Sequence, residues 1–306
     1  MRRIFSLSIV ILFTVLSGAC TGQAEPPQNT VVPTQPTVVP QRDIVYCSPE
    51  GQEQKLDLYF PENKSSLNPL AVYIHGGGWS NGDKSLFWGM SIQPTLLKHG
   101  YIVASVNYRL YPQAQFPAMI EDVKCAIRFL RANADEYGID PSRVGVWGDS
   151  AGGHLVSLVG AAGPEAGFDV GEYLDQSSAV QAVVDLYGPI DIAGLARKGY
   201  LGDLPGTVFG AKNSQDPILE KASPLTYLSA DMPPILILHG DHDTTVSMQE
   251  SQNFYNQLTT EGAEAELVIV KNGIHDLDAN PLKIQPTRAE LIEKVVAFFD
   301  RSLIKR

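Results

Sequence analysis

The chain has 306 residues, 44% of them hydrophobic and 19% charged, with a formal net charge of −11. Once an N-terminal segment is set aside, that length suits one α/β domain with a large core. The acidic balance argues against nucleic acid or an anionic membrane surface as partner, and no basic cluster longer than Arg2-Arg3 occurs.

Residues 1–19 read as an export signal: a positive start at Arg2-Arg3, then a mostly apolar run from Ile4 to Val15 that is too short to span a bilayer. Leu16-Ser17-Gly18-Ala19-Cys20 resembles a bacterial lipoprotein cleavage box, which would make Cys20 the lipidated N-terminus. An ordinary secretory signal cut near Ala19 or Ala24 is the competing reading. Residues 20–42 hold the lipidated Cys20 and a tether. From 21 to 42 the chain carries five prolines, many Thr, Gln and Val, and no periodicity, as expected of a semi-extended linker. The expected location is the exported side of a bacterial membrane, held by this anchor alone.

Residues 43–306 read as the catalytic domain. Runs at 43–46 and 54–60 open it as a pair of strands. A buried-type strand at 70–75 runs into His75-Gly76-Gly77-Gly78-Trp79. Bare backbone N–H groups in such a loop supply what an oxyanion hole requires, namely donors fixed where negative charge develops. A helix over 86–98, a strand over 101–106 and an amphipathic helix over 118–136 follow, the last with Ile120, Val123, Ile127 and Leu130 at helical spacing. Cys47 and Cys125 fall in separate core elements and are expected to be buried free thiols, with a disulfide, which an exported location permits, as the alternative. No Cys/His spacing suggests a zinc site.

The strand 143–147 leads into Gly148-Asp149-Ser150-Ala151-Gly152 and then a helix. A serine on a sharp strand-to-helix turn exposes its hydroxyl, and the helix N-terminus behind it favours negative charge. A strand over 180–187 comes next. The stretch 188–230 is short and rich in Gly and Pro, which predicts a small cap and an open site. The strand 234–239 ends in His239-Gly240-Asp241-His242-Asp243, where Asp243 is the expected acid and Asp241 the alternate. A helix over 247–260 and a strand over 266–270 precede His275, the expected base, and a last helix covers 286–302. Alternation of this kind predicts a mostly parallel sheet with helices on both faces. Every candidate falls just after a strand, where open α/β sheets bind ligands.

Several stretches together resemble one family: His75 to Trp79 with Gly82-Asp83-Lys84, Val106 to Leu110, Phe116-Pro117 with Asp122, Tyr137 to Pro141, Gly148 to His154, Ser223-Pro224, and His239 to Val246. They look like the α/β-hydrolase carboxylesterases of the hormone-sensitive-lipase-like group. Within it they look most like feruloyl/acetyl-xylan esterase-like and arylformamidase-like domains. The resemblance spans nearly all of 42–306 and implies an α/β-hydrolase fold and ester-type chemistry. The chain order Ser150, Asp243, His275 is the α/β-hydrolase order.

The expected activity is hydrolysis of short-acyl or aryl esters through an acyl-enzyme. The substrate is a small-molecule or polysaccharide-linked ester. Gly77, Gly78 and Ala151 would donate to the oxyanion, and Trp79 and Tyr108 would either line the acyl or alcohol pocket or pack in the core. Neither a metal nor an organic cofactor is called for. An amidase or peptidase on the same residues, and a non-catalytic binding protein on the same scaffold, are the alternatives.

Overall fold

The computed structural model describes residues 39–63, 65–86, 91–277 and 283–304. The export signal, Cys20 and the tether as far as residue 38 lie outside the described residues. Eight strands form one sheet in the order β1-β2-β4-β3-β5-β6-β7-β8. They are β1 Gln41–Cys47, β2 Gln54–Tyr59, β3 Asn68–Ile74, β4 Ile102–Val106, β5 Ile139–Asp149, β6 Ala182–Leu186, β7 Ile235–Gly240 and β8 Ala265–Val270. The β1–β2 and β2–β4 pairs are antiparallel, and all the others are parallel.

Both faces of the inner sheet are covered, so β3, β4, β6 and β7 are buried along their whole length and mostly apolar. The pleat sorts their side chains by alternation. Leu70, Val72 and Ile74 of β3 enter one core, and Ala71 and Tyr73 the other; Ile235 and Ile237 of β7 part from Leu236 and Leu238 in the same way. The first core is closed by α2 Ala118–Ala132, α4 Ala151–Ala161 and α8 Met248–Glu261, through Val123, Ile127, Leu155, Phe254 and Leu258. The second is closed by α1 Gln93–Lys98 and α9 Arg288–Phe299, through Leu96, Leu291, Val295 and Phe299. A reciprocal Thr287–Glu290 capping box starts α9.

Of the expected 86–98 helix, residues 87–90 lie outside the described residues, and the described helix is Gln93–Lys98, with Pro94 in its first turn. The expected 118–136 helix breaks at Asn133, whose φ of −107° leaves the helical well, and α3 Ala134–Tyr137 follows. The strand expected over 143–147 is longer, because Asp140 to Arg143 form an irregular stretch between the Asn68↔Ile139 and Leu70↔Val144 pairings. The cap is small, with α5 Ile192–Arg197, α6 Leu204–Thr207 and α7 Pro217–Lys221.

The expectation of two free thiols is overturned. Cys47 at the end of β1 and Cys125 on α2 form a disulfide with a Cα–Cα distance of 6.5 Å. Separate elements brought them together because α2 packs across β1. Closing a loop of 78 residues stabilises the fold by about 4 kcal/mol on a chain-entropy estimate. Cys47→Ala combined with Cys125→Ala should therefore lower the denaturation midpoint substantially, and reductant should lower the wild type but not the double variant. Equal midpoints for all of these forms would mean that the bridge contributes nothing in solution.

Candidate active site

The site is assembled at the carboxyl ends of parallel strands. β5 ends at Asp149, and α4 begins at Ala151. Between them Ser150 takes φ 53° and ψ −116°, a conformation that side-chain-bearing residues rarely adopt. The Ser150 N–H donates to Leu186 O at 2.9 Å, and His154 N–H donates to Ser150 O at 3.0 Å. The turn is closed by backbone contact. A Cβ on Gly148 would come within 2.8 Å of Ile74 O, and one on Gly152 would overlap that same oxygen. These glycines are there because β3 passes too close for a side chain.

Three loops bring Ser150, Asp243 and His275 into one hydrogen-bonded line. His275 Nε2 lies 2.9 Å from Ser150 Oγ, and His275 Nδ1 lies 2.7 Å from Asp243 Oδ2. An ionised carboxylate only accepts, so Nδ1 carries the proton and Nε2 is free to accept from the serine hydroxyl. The Asp243 side chain is fully buried, and its Oδ1 accepts the N–H groups of Thr245 and Val246 at 2.8 and 2.9 Å. Burial alone would raise its pKa. Hydrogen bonds from His239 and His275, and the charge on His275, outweigh that and hold the carboxyl well below the usual range. The edge of Tyr187 packs on the His275 ring, with centroids 4.8 Å apart.

Asp241 does different work. Its Oδ1 accepts the Asn272 N–H and faces His242 Nδ1 at 2.7 Å. Asp241 N–H in turn donates to Val270 O, and His242 N–H to Gly273 O. This residue therefore ties the loop carrying Asp243 to the loop carrying His275.

The glycine loop after β3 curls back over Ser150. Gly77 and Gly78 have φ of 110° and 60°, and the carbonyl of Gly77 accepts Ser80 and Asn81 N–H. Ala151 is the first residue of α4, so its N–H has no helical acceptor. Gly78 and Ala151 line a cavity with Ser150. Asp149 fastens this loop to the serine turn: it accepts the Tyr73 hydroxyl at 2.6 Å and the Gly76 N–H. Burial pushes its carboxyl up to about 6, against those two hydrogen bonds.

Of the two readings of Tyr108, the structure shows core packing. Its side chain is buried, stacks on His75 with centroids 4.4 Å apart, and donates its hydroxyl to His75 O at 2.8 Å. It braces the glycine loop from behind. Trp79 does line the cavity, but its indole also donates to buried His154 Nδ1 at 3.2 Å.

Two hollows meet at Ser150 and Gly78. One, of about 480 Å³, is largely apolar, with Trp79, Leu195, Leu201, Leu204 and Val246 in its wall. The other, of about 400 Å³, holds Asp149, Tyr187, His275 and Asp276. Leu195, Leu201 and Leu204 escape the sequence reading because their segment has no hydrophobic period to reveal them. Among the described residues, no group of three or more His, Cys, Asp and Glu converges as a metal ion requires.

The sequence profile of the BD-FAE family matches residues 56–258, about two thirds of the chain. The chain belongs to the BD-FAE family. The match includes the glycine loop, Ser150 and Asp243, and His275 lies beyond it. Among similar proteins, the isoprenylcysteine alpha-carbonyl methylesterase ICME of Arabidopsis thaliana is 32% identical over 248 residues, covering 76% of this chain and 56% of that protein. The probable carboxylic ester hydrolase LipM of Mycobacterium tuberculosis is 34% identical over 196 residues, covering 62% of this chain and 44% of that protein. The chain thus spans about half the length of these curated relatives. A solved truncated carbohydrate esterase from gut microbiota superposes with a TM-score of 0.71 at 29% identity, covering 86% of this chain and 96% of that one. The butyrate-bound esterase Est2 of Thermogutta terrifontis shares the fold, with a TM-score of 0.68 at 23% identity over 86% of this chain and 93% of that one.

The geometry separates the two aspartates in a testable way. Asp243→Asn should lower kcat by about three to four orders of magnitude, because the amide can present its N–H to His275 and favour the wrong tautomer. Asp241→Asn should cost far less. Steady-state kinetics on a chromogenic acetate ester checks the ranking, and the reverse order would reassign the acid.

Proposed function

We propose that this BD-FAE chain is a serine carboxylesterase that hydrolyses short-acyl esters through an acyl-enzyme. The observation that carries the reading is the unbroken line Ser150–His275–Asp243, set beside the N–H groups of Gly78 and Ala151 at the floor of an apolar hollow. Curated relatives named as ester hydrolases support the same class of reaction.

In this reading His275 removes the Ser150 proton as Oγ attacks the ester carbonyl. Asp243 orients the imidazole and stabilises its cation. The carbonyl oxygen, now negative, takes N–H donors from Gly77, Gly78 and Ala151. The loss of one such donor typically removes on the order of 3 kcal/mol of transition-state stabilisation. His275 then returns the proton to the leaving alcohol, and a water activated by His275 releases the acyl group.

The proton step sorts the two hollows. The leaving oxygen must meet His275 Nε2, so the alcohol occupies the hollow shared by His275, Tyr187 and Asp149. The acyl group then occupies the apolar hollow walled by Leu195, Leu201 and Leu204. Those three residues come from the small cap, and the hollow they wall holds only about 480 Å³. Each added methylene contributes roughly 0.8 kcal/mol only while there is apolar wall to bury it. A polar alcohol side is compatible with a polysaccharide-linked ester, and the carbohydrate esterase neighbour supports that possibility. Export with lipidation at Cys20 belongs to the same proposal, and the Cys47–Cys125 disulfide supports an oxidising compartment.

Ser150→Ala should abolish both ester hydrolysis and labelling by a serine-directed phosphonate while leaving thermal unfolding unchanged. Retained turnover in that variant would remove Ser150 from the mechanism. Across an acyl series, kcat/KM should peak between acetyl and butyryl and fall at twelve carbons and beyond. A maximum at long chains would contradict the short apolar hollow. Acetylated xylan and feruloyl esters in the same series test the polysaccharide-linked class.

A further inference from the structure

The Asp243 carboxylate accepts more donors than orienting His275 requires. Oδ1 takes the N–H groups of Thr245 and Val246. Oδ2 takes His275 Nδ1 at 2.7 Å and also faces His239 Nε2 at 3.1 Å. His239 is on β7, four residues before the acid, and its side chain is completely buried. Its other nitrogen, Nδ1, lies 2.7 Å from Ser251 Oγ on α8.

The tautomer follows from the partners. Nε2 lies 2.9 Å from Val246 O, which only accepts, so Nε2 carries the proton. Nδ1 then accepts the Ser251 hydroxyl. The single Nε2–H is shared between Val246 O and Asp243 Oδ2, a three-centre bond. A histidine with the opposite tautomer would turn a lone pair towards the carboxylate and repel it.

We propose that His239 is a positioning residue for the acid of the catalytic line, holding Asp243 Oδ2 in place as a second donor beside His275, and that Ser251 fixes the tautomer that allows it. This rests on the assignment of Ser150, His275 and Asp243 made above. Without His239, Oδ2 keeps one donor, so its position is set only by His275 itself and by the two N–H groups that hold Oδ1. The lost N–H also no longer draws charge from the carboxylate, so Asp243 holds the His275 cation more tightly. The acid limb of kcat/KM should therefore move to higher pH. The other ionisable groups that face this assembly are Asp185 of β6 beside His239, and Asp149 beside His275, with Asp276 and Arg288 beyond Tyr187. None of these is altered in the variants below.

The test compares His239→Leu, His239→Gln and Ser251→Ala with the wild type. Activity is normalised to sites labelled by the phosphonate. His239→Leu should lower kcat by about ten- to a hundredfold, the scale for misplacing a reacting group, with little change in KM and an acid limb moved upward. His239→Gln, whose side-chain N–H₂ reaches the position of Nε2, should restore most of kcat and the wild-type limb. Ser251→Ala should shift both in the same direction as His239→Leu, by less. If His239→Leu does not fold, Ser251→Ala and His239→Gln decide by the same two readouts. A wild-type limb and wild-type kcat per labelled site in His239→Leu, or in Ser251→Ala where the leucine variant does not fold, overturns the proposal and leaves His239 a packing residue. Failure of the functional assignment looks different, because the wild type itself would then neither label nor turn over.

Discussion

The backbone at Ser150 is the constraint on which the rest of the site depends. Its φ of 53° with ψ of −116° is a conformation that costs on the order of 1–3 kcal/mol and persists only where the surroundings enforce it. Three features do so here. β3 passes so close that Gly148 and Gly152 have no room for side chains. β6 accepts the Ser150 N–H through Leu186, and the first turn of α4 takes the Ser150 carbonyl. Relaxing the turn would break the pairing of β5 with its neighbours, so the strain is stored at the centre of the sheet, where the core resists it most.

From that point outward the site is held by backbone-to-backbone ties together with a few buried side chains. The loops after β7 and β8 are joined by Asp241 N–H to Val270 O and His242 N–H to Gly273 O. The approach is close enough that Gly240 and Gly273 lie against each other. The glycine loop is held in another way, with Asp149 in front and the Tyr108–His75 stack behind. Ser150, Asp243 and His275 therefore sit on loops tied to one another, which suits the proposed reaction, whose barrier is sensitive to displacements of about an ångström.

Much of this is legible in the sequence, for identifiable reasons. Ser150, Asp243 and His275 each follow a short apolar run, and strand ends are where such residues can meet. The glycines around Ser150 report backbone crowding directly. The BD-FAE membership agrees with the resemblance that the motifs carry. What stays hidden is whatever depends on non-local packing of ordinary residues. The Cys47–Cys125 pairing requires knowing that α2 crosses β1. Tyr108 could not be separated from a pocket residue, because its hydroxyl partner is a backbone carbonyl 33 positions away. Leu195, Leu201 and Leu204 sit in a segment of short helices and turns, where no period distinguishes a cavity wall from a core. His239 reads as the end of a strand, and its bond to the acid appears only when the loop has folded back.

The disulfide has a mechanical consequence. β1 is an edge strand and the first described element, so a pull on the chain from its N-terminal side arrives there first. Paired only with β2, in antiparallel fashion, an edge strand loaded from one end opens one rung at a time like a zipper, at low force. Cys47 is the last residue of β1, and its bond to α2 is a rivet at the far end of that zipper. Peeling would stop at seven residues, and further load would pass into α2, which packs against β1 and β5. The end of the sheet that carries Ser150, four strands inward, would thereby be shielded from that load.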